Sequence, residues 1–114
     1  MTDCLFCKII AGKIPGAIVY EDDAVVAFKD VNPQAPMHVL IVPRKHIASL
    51  NDLIPGDDEL VGSMFRRAAA LARDAGHDQH GYRTVFNTGR EAGQSVFHIH
   101  LHLLAGRALT WPPG

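Results

Sequence analysis

Ser95-Val96-Phe97-His98-Ile99-His100-Leu101-His102-Leu103-Leu104 carries three of the chain's seven histidines at alternating positions. Period-two alternation marks a strand, because side chains at i, i+2 and i+4 lie on one face. The spacing predicts a strand over 95–104 whose three imidazoles project together, about 6.6 Å apart along the backbone. Phe97, Ile99, Leu101 and Leu103 then face the other way, into a core. Three imidazoles that protonate near neutral pH repel one another unless a ligand, metal or anion stabilises them. Two chemistries suit such a cluster. H-x-H spacing can place two histidines on one zinc. Alternatively, one imidazole attacks phosphorus while its neighbours hydrogen-bond the developing oxyanions. The spacing alone does not choose between them.

Outward from this strand, the other elements are short and regular. Leu5 to Ala11 is an apolar segment of one or two helical turns ending at Gly12. Ile14-Pro15-Gly16 is a turn. Ala17–Tyr20 and Ala24–Lys29 are β-rich runs joined as a hairpin through Glu21-Asp22-Asp23. Val31 to Pro36 is a loop, since two prolines fix φ and remove backbone donors. His38–Val42 is a nearly continuous apolar strand closed by Pro43. Pro55-Gly56-Asp57-Asp58 supplies a breaker and acidic caps for the one long helix. Along it Leu60, Met64, Ala68, Leu71 and Ala75 recur at spacings of three and four, joined by Val61, Phe65 and Ala72, with Gly76 as the stop. Tyr82–Asn87 is a further strand. About five antiparallel strands, one long helix and a short N-terminal helix make an α+β class, in one domain over 1–114. One helix covers one face of the sheet. The other face is left for a site or a partner.

Composition narrows the partners. The 114 residues are 47% hydrophobic and 20% charged with a net charge of −1, as in an ordinary soluble domain. No broad basic field exists to attract nucleic acid or anionic lipid, so a phosphate-bearing ligand must be met locally. No apolar run reaches the roughly 18–20 residues of a membrane span, and Met1-Thr2-Asp3-Cys4 does not open a signal peptide. A cytoplasmic location is expected. In a reducing compartment the two cysteines, Cys4 and Cys7, suggest metal or redox chemistry more than a disulfide, although inert thiols are the plain alternative.

His98-Ile99-His100-Leu101-His102-Leu103-Leu104 resembles the signature of the histidine-triad (HIT) superfamily, His-φ-His-φ-His-φ-φ. Phe6-x-Lys8-Ile9-Ile10, the run Phe28 to His38, Gly93-Gln94-Ser95-Val96-x-His98 and the tail Trp111-Pro112-Pro113-Gly114 extend the likeness to its Hint branch. The resemblance implies a HIT fold and hydrolysis of nucleoside 5′-phosphoramidates or related purine adenylates through a nucleotidyl-histidine. In that scheme His100 attacks the α-phosphorus, His102 holds phosphate oxygens and His38 lies beside His100. Asn87, Gly93, Gln94, Ser95 and Val96 would surround the phosphate and leaving group. Asp30 would accept from the ribose hydroxyls, while Phe6, Ile9, Phe28, Val31 and Leu40 would form the base slot. An acceptor-only carboxylate suits two hydroxyls and repels phosphate; a cap on the loop before Asn32-Pro33 is the alternative for Asp30. Gly89 and Gly93 could turn N–H groups toward an anion or simply serve turns.

Many proteins of this branch lack C-x-x-C. HIT proteins that carry it bind structural zinc, which implies a Cys4, Cys7, His46 and His98 ligand set and no catalytic metal. The tail implies a homodimer joined edge to edge, with Trp111 near the neighbouring site. A tail folded on its own chain is the alternative. A regulatory nucleotide-binding protein with incidental hydrolysis and a zinc-dependent hydrolase are the competing functions.

Overall fold

The computed structural model describes residues 3–114. Helix α1 (Leu5–Ile10) is followed by strands β1 (Ile18–Glu21), β2 (Val25–Lys29) and β3 (Met37–Pro43), helix α2 (Asp58–Asp74), and strands β4 (Tyr82–Val85) and β5 (Leu101–Ala105). The strands form one sheet in the order β1-β2-β3-β5-β4, and every neighbouring pair is antiparallel. The β1–β2 hairpin closes on Asp22, whose Oδ1 accepts from the N–H groups of Ala24 and Val25 at 2.8 Å each. Among the described residues no helix is long and apolar enough to cross a membrane.

Alternation sorts the side chains into two cores. Val25, Ala27, Val39, Ile41, Leu101 and Leu103 pack against Met64, Ala68 and Ala72 of α2. Those three recur every four residues, so they form the buried stripe. Phe65 and Ala75, expected in that stripe, lie at its margin and are exposed, Phe65 stacking edge-on against Phe86 at 5.7 Å. On the opposite face Val26, Phe28, Leu40 and Val42 pack against Phe6 and Ile9 of α1. A six-residue helix covers little of that face, and the rest is free for a site. Asp57 precedes α2 as expected, but its carboxylate does not cap the helix. It accepts instead from Lys45 Nζ at 2.6 Å and the Ile54 N–H at 3.1 Å.

The histidine segment differs from the expected strand over 95–104. β5 begins only at Leu101, so His98 and His100 precede it. The cause lies in its neighbour. Ile41 pairs with Leu101, which would bring Pro43 opposite Ile99, and Pro43 has no N–H to continue the ladder. The Ile99 N–H turns to the Ile47 carbonyl at 2.8 Å, and Phe97, expected in the core, is 52% exposed. Likewise β4 stops at Val85 and does not extend to Asn87.

The loop before β3 is seated by a close approach. Gly106, just beyond β5, has φ +97°, and a Cβ there would sit 2.9 Å from Pro36 Cβ. Arg107 Nε donates to the Gln34 carbonyl at 2.9 Å from the same side. Gly106→Ala is expected to lower stability by about 1–3 kcal/mol through backbone strain and collision. Urea denaturation, with the midpoint falling at unchanged slope, would show it.

Candidate active site

Four histidines have their tautomers set by the groups around them. His100 is buried, and its Nδ1 lies 2.8 Å from the His98 carbonyl. A carbonyl only accepts, so Nδ1 carries the proton and Nε2 keeps a free lone pair. His98 is the mirror case. Its Nε2 donates to the Pro43 carbonyl at 2.7 Å, which leaves the lone pair on Nδ1. The Gln34 N–H donates to His38 Nδ1 at 3.0 Å, so the His38 proton sits on Nε2. That proton is given to His102 Nδ1 at 2.9 Å, which puts the His102 proton on Nε2. Two adjacent rings, His100 and His102, with centroids 5.0 Å apart, thus offer one nucleophilic nitrogen and one donor.

Register explains the meeting. Leu40 of β3 pairs with His102 of β5, and His38 precedes Leu40 by two, on the same face. Burial lowers the pKa of His38, His98 and His100 below the ordinary imidazole value, with nearby Asp30 opposing the shift at His38 and His100. Burial, then the neighbouring His100 and His38, holds His102 down to about 4. At neutral pH the cluster is uncharged. The repulsion foreseen between three imidazoles is avoided by desolvation.

A cavity of about 430 Å³ opens beside these rings. Phe6, Ile9, Phe28, Leu40, Val96, Gly93, Ser95, Asp30, Val31, His100 and His102 line it, so most of the expected binding residues converge. Val31 is wholly exposed and supplies only the rim. Asp30 lies on the cavity wall and also closes its own loop. Its Oδ1 accepts from the Asn32 N–H at 2.8 Å, which closes the loop, and its Oδ2 lies 3.4 Å from His38 Nε2. Two expected contacts are not on the cavity wall. Gln94 is buried and committed, accepting from the Gly89 N–H at 2.9 Å and donating to the carbonyls of Ala48 and Val96 at 2.7 and 3.2 Å. These bonds brace the loop. Asn87 lies beyond the end of β4, off the wall. Leu5, Pro15, Gly16, Ala17 and Lys29 also line the cavity and were not foreseen. The Ile14-Pro15-Gly16 turn was legible, but its position over the site depends on how α1 packs.

The first triad histidine belongs to a second cluster. Cys4, Cys7, His46 and His98 place one ligand atom each within 4.8 Å of one another. His98 Nδ1 is 3.3 Å from Cys4 Sγ, 3.5 Å from Cys7 Sγ and 3.2 Å from His46 Nδ1, and Cys7 Sγ is 3.4 Å from His46 Nδ1. A tetrahedral centre with thiolate and imidazole ligands has edges of about 3.3–3.8 Å. The cluster fits a metal site. Burial and the adjacent Cys4 push the Cys7 thiol up to about 11, so thiolate formation there calls for a cation. Asp30, His38 and His102 also lie close enough to suggest ligands. A metal on His38 Nε2, however, would have to displace the proton that the Gln34 N–H fixes there.

The family model for the C-terminal binding region of the scavenger mRNA decapping enzyme matches residues 3–109. The chain is 47% identical to the purine nucleoside phosphoramidase of Escherichia coli K12, over 94% of this chain and 90% of that one. Its structure superposes on a HIT family hydrolase from Legionella pneumophila with a TM-score of 0.97 and 54% identity, covering 98% of this chain and all of the other. It also superposes on a zinc-bound histidine-triad family protein from Mycobacterium smegmatis with a TM-score of 0.80 and 33% identity, over 93% and 76% of the two chains. The chain belongs to the histidine-triad family.

Proposed function

We propose that this protein hydrolyses purine nucleoside 5′-phosphoramidates and related adenylates through a covalent nucleotidyl-His100 intermediate. The single observation that carries the reading is the opposed tautomers of two adjacent rings, a lone pair on His100 Nε2 beside a proton on His102 Nε2. His100 Nε2 attacks the α-phosphorus, the P–N bond breaks, and the amine leaves with a proton taken from solvent. The His102 Nε2–H hydrogen-bonds a phosphoryl oxygen as charge builds on it. Water then attacks phosphorus and loses a proton to solvent, the Nε2–P bond breaks, and the nucleoside monophosphate departs from neutral His100. The base would lie between Phe6, Ile9, Phe28 and Leu40, with the ribose at Asp30. The name and 47% identity of the Escherichia coli phosphoramidase support this substrate class.

The Cys4, Cys7, His46 and His98 set would hold structural zinc. Thiolates favour zinc over magnesium or calcium, and four protein ligands leave no open position for catalysis. The reduced thiol pair suits a cytoplasmic setting. We also read the chain as a homodimer joined edge to edge at β4. That edge carries exposed Tyr82, and Trp111 stands 82% exposed.

His100→Ala is expected to keep its fold and nucleotide binding while losing on the order of 10⁴-fold or more of phosphoramidate turnover. Steady-state assay with adenosine 5′-phosphoramidate, beside calorimetric titration with AMP, separates the two effects. Turnover within tenfold of wild type would sink the histidine nucleophile.

Acid pH supplies another check. The pKa values of His38, His100 and His102 are lowered from 6.5 in the folded chain. Between pH 6.5 and about 4 the unfolded chain therefore binds more protons, so stability falls as pH falls through this window. Neutral His100 also persists below 6.5. The acid limb of the kcat/KM profile is expected below pH 6.5, and a limb centred at or above that value would count against the buried, neutral nucleophile.

A further inference from the structure

The Phe6 side chain stands between the metal cluster and the cavity. Phe6 sits in sequence between Cys4 and Cys7, and its ring lines the cavity. It stands edge-on to three rings, with centroids 5.0 Å from His100, 5.3 Å from Phe28 and 6.1 Å from His98. Helix α1 has six residues, too few to be stable by itself, so its position depends on its tethers. Those tethers are the buried side chains of Phe6 and Ile9, partly buried Ile10, and the sulfurs of Cys4 and Cys7. Cys4 Sγ additionally caps the helix by accepting from the Cys7 N–H at 3.2 Å. A metal bound by both sulfurs and by His46 and His98 would pin α1 to the segment before β5.

We propose that the Cys4–Cys7–His46–His98 cluster is a clamp through which metal occupancy sets nucleotide affinity, with Phe6 as the positioning residue that transmits it. Seating α1 places Leu5, Phe6 and Ile9 along the cavity and holds the Phe6 ring against the His100 imidazole. Releasing the metal leaves a short helix held by its apolar side chains alone. The wall of the base slot then loosens, while His100 and His102, set by the His98 carbonyl and by His38, keep their own hydrogen bonds. Loss of metal accordingly weakens binding more than it slows the chemical step. The inference rests on the nucleotide reading above, because the cavity is taken as the nucleotide site.

The test is calorimetric titration of AMP into zinc-loaded full-length protein, into the same protein after chelation, and after adding back one equivalent of zinc. Hydrogen exchange over residues 4–11 is followed in parallel. The expected result is one zinc per chain, a tenfold or larger rise in Kd on chelation that zinc reverses, and faster exchange confined to α1 and its contacts. Zinc-loaded Phe6→Ala should still hold one zinc, and its weakened AMP binding should no longer change on chelation, whereas loss of a base contact alone would leave the zinc response intact. His46→Ala, whose ring lies off the cavity wall, supplies a second zinc-free form if the chelated protein unfolds, and it should bind AMP at least tenfold more weakly than zinc-loaded wild type. Equal AMP affinity with and without zinc, a zinc-dependent Kd in Phe6→Ala, wild-type affinity in zinc-free His46→Ala, or no zinc uptake would each overturn the clamp. Failure of zinc-loaded wild type to bind AMP at all would instead overturn the nucleotide reading.

Discussion

Two backbone carbonyls govern the chemistry of this protein. The His98 carbonyl takes the Nδ1 proton of His100, and the Pro43 carbonyl takes the Nε2 proton of His98. Each interaction is an ordinary hydrogen bond, worth about 0.5–1.5 kcal/mol net to stability. Their larger effect is on which nitrogen is left bare. Two histidines only two residues apart thereby present opposite nitrogens to opposite partners. One faces the cavity, and the other faces a pair of sulfurs. The neighbouring His38–His102 pair is set the same way, from a main-chain N–H at Gln34. Because the donors and acceptors at the start of each chain are backbone groups, they are placed by the fold and cannot titrate.

The fold exists to deliver those backbone groups. The Pro43 carbonyl lies at the end of β3, where a residue without an N–H ends the ladder and lets the chain before β5 turn away. That departure carries His98 out of line with His100 and His102. The Gln34 N–H lies in a proline-bounded loop that Gly106 and Arg107 hold against β5. Leaving one face of the sheet largely uncovered by α2 makes room for the cavity, and α1 closes its apolar end. Burial then keeps the imidazoles neutral, which a nucleophile at physiological pH requires.

Much of this was legible in the residue order, for reasons that differ by element. Alternation over 95–104 announced a histidine-bearing face, and the apolar recurrence from Leu60 placed α2 well. The same alternation was misleading for Ser95 to His100, because a strand needs a partner with an N–H and Pro43 lacks one. Phe97 is exposed for that reason. Gln94 was expected at the phosphate from the resemblance alone. Its donors and its acceptor are consumed by Gly89, Ala48 and Val96, and no sequence pattern reveals such long-range commitments. Asn87 lies beyond the end of β4 and off the cavity wall. The division of His98 from its neighbours followed from resemblance. Its physical cause, the Pro43 carbonyl, is visible only in three dimensions.

The most direct measurement is nitrogen-15 NMR of the imidazole rings at neutral pH, which distinguishes a protonated ring nitrogen from a bare one. Protons are predicted on Nδ1 of His100 and on Nε2 of His38, His98 and His102. A His100 protonated on Nε2, or an imidazolium at that position, would contradict the division of labour described here.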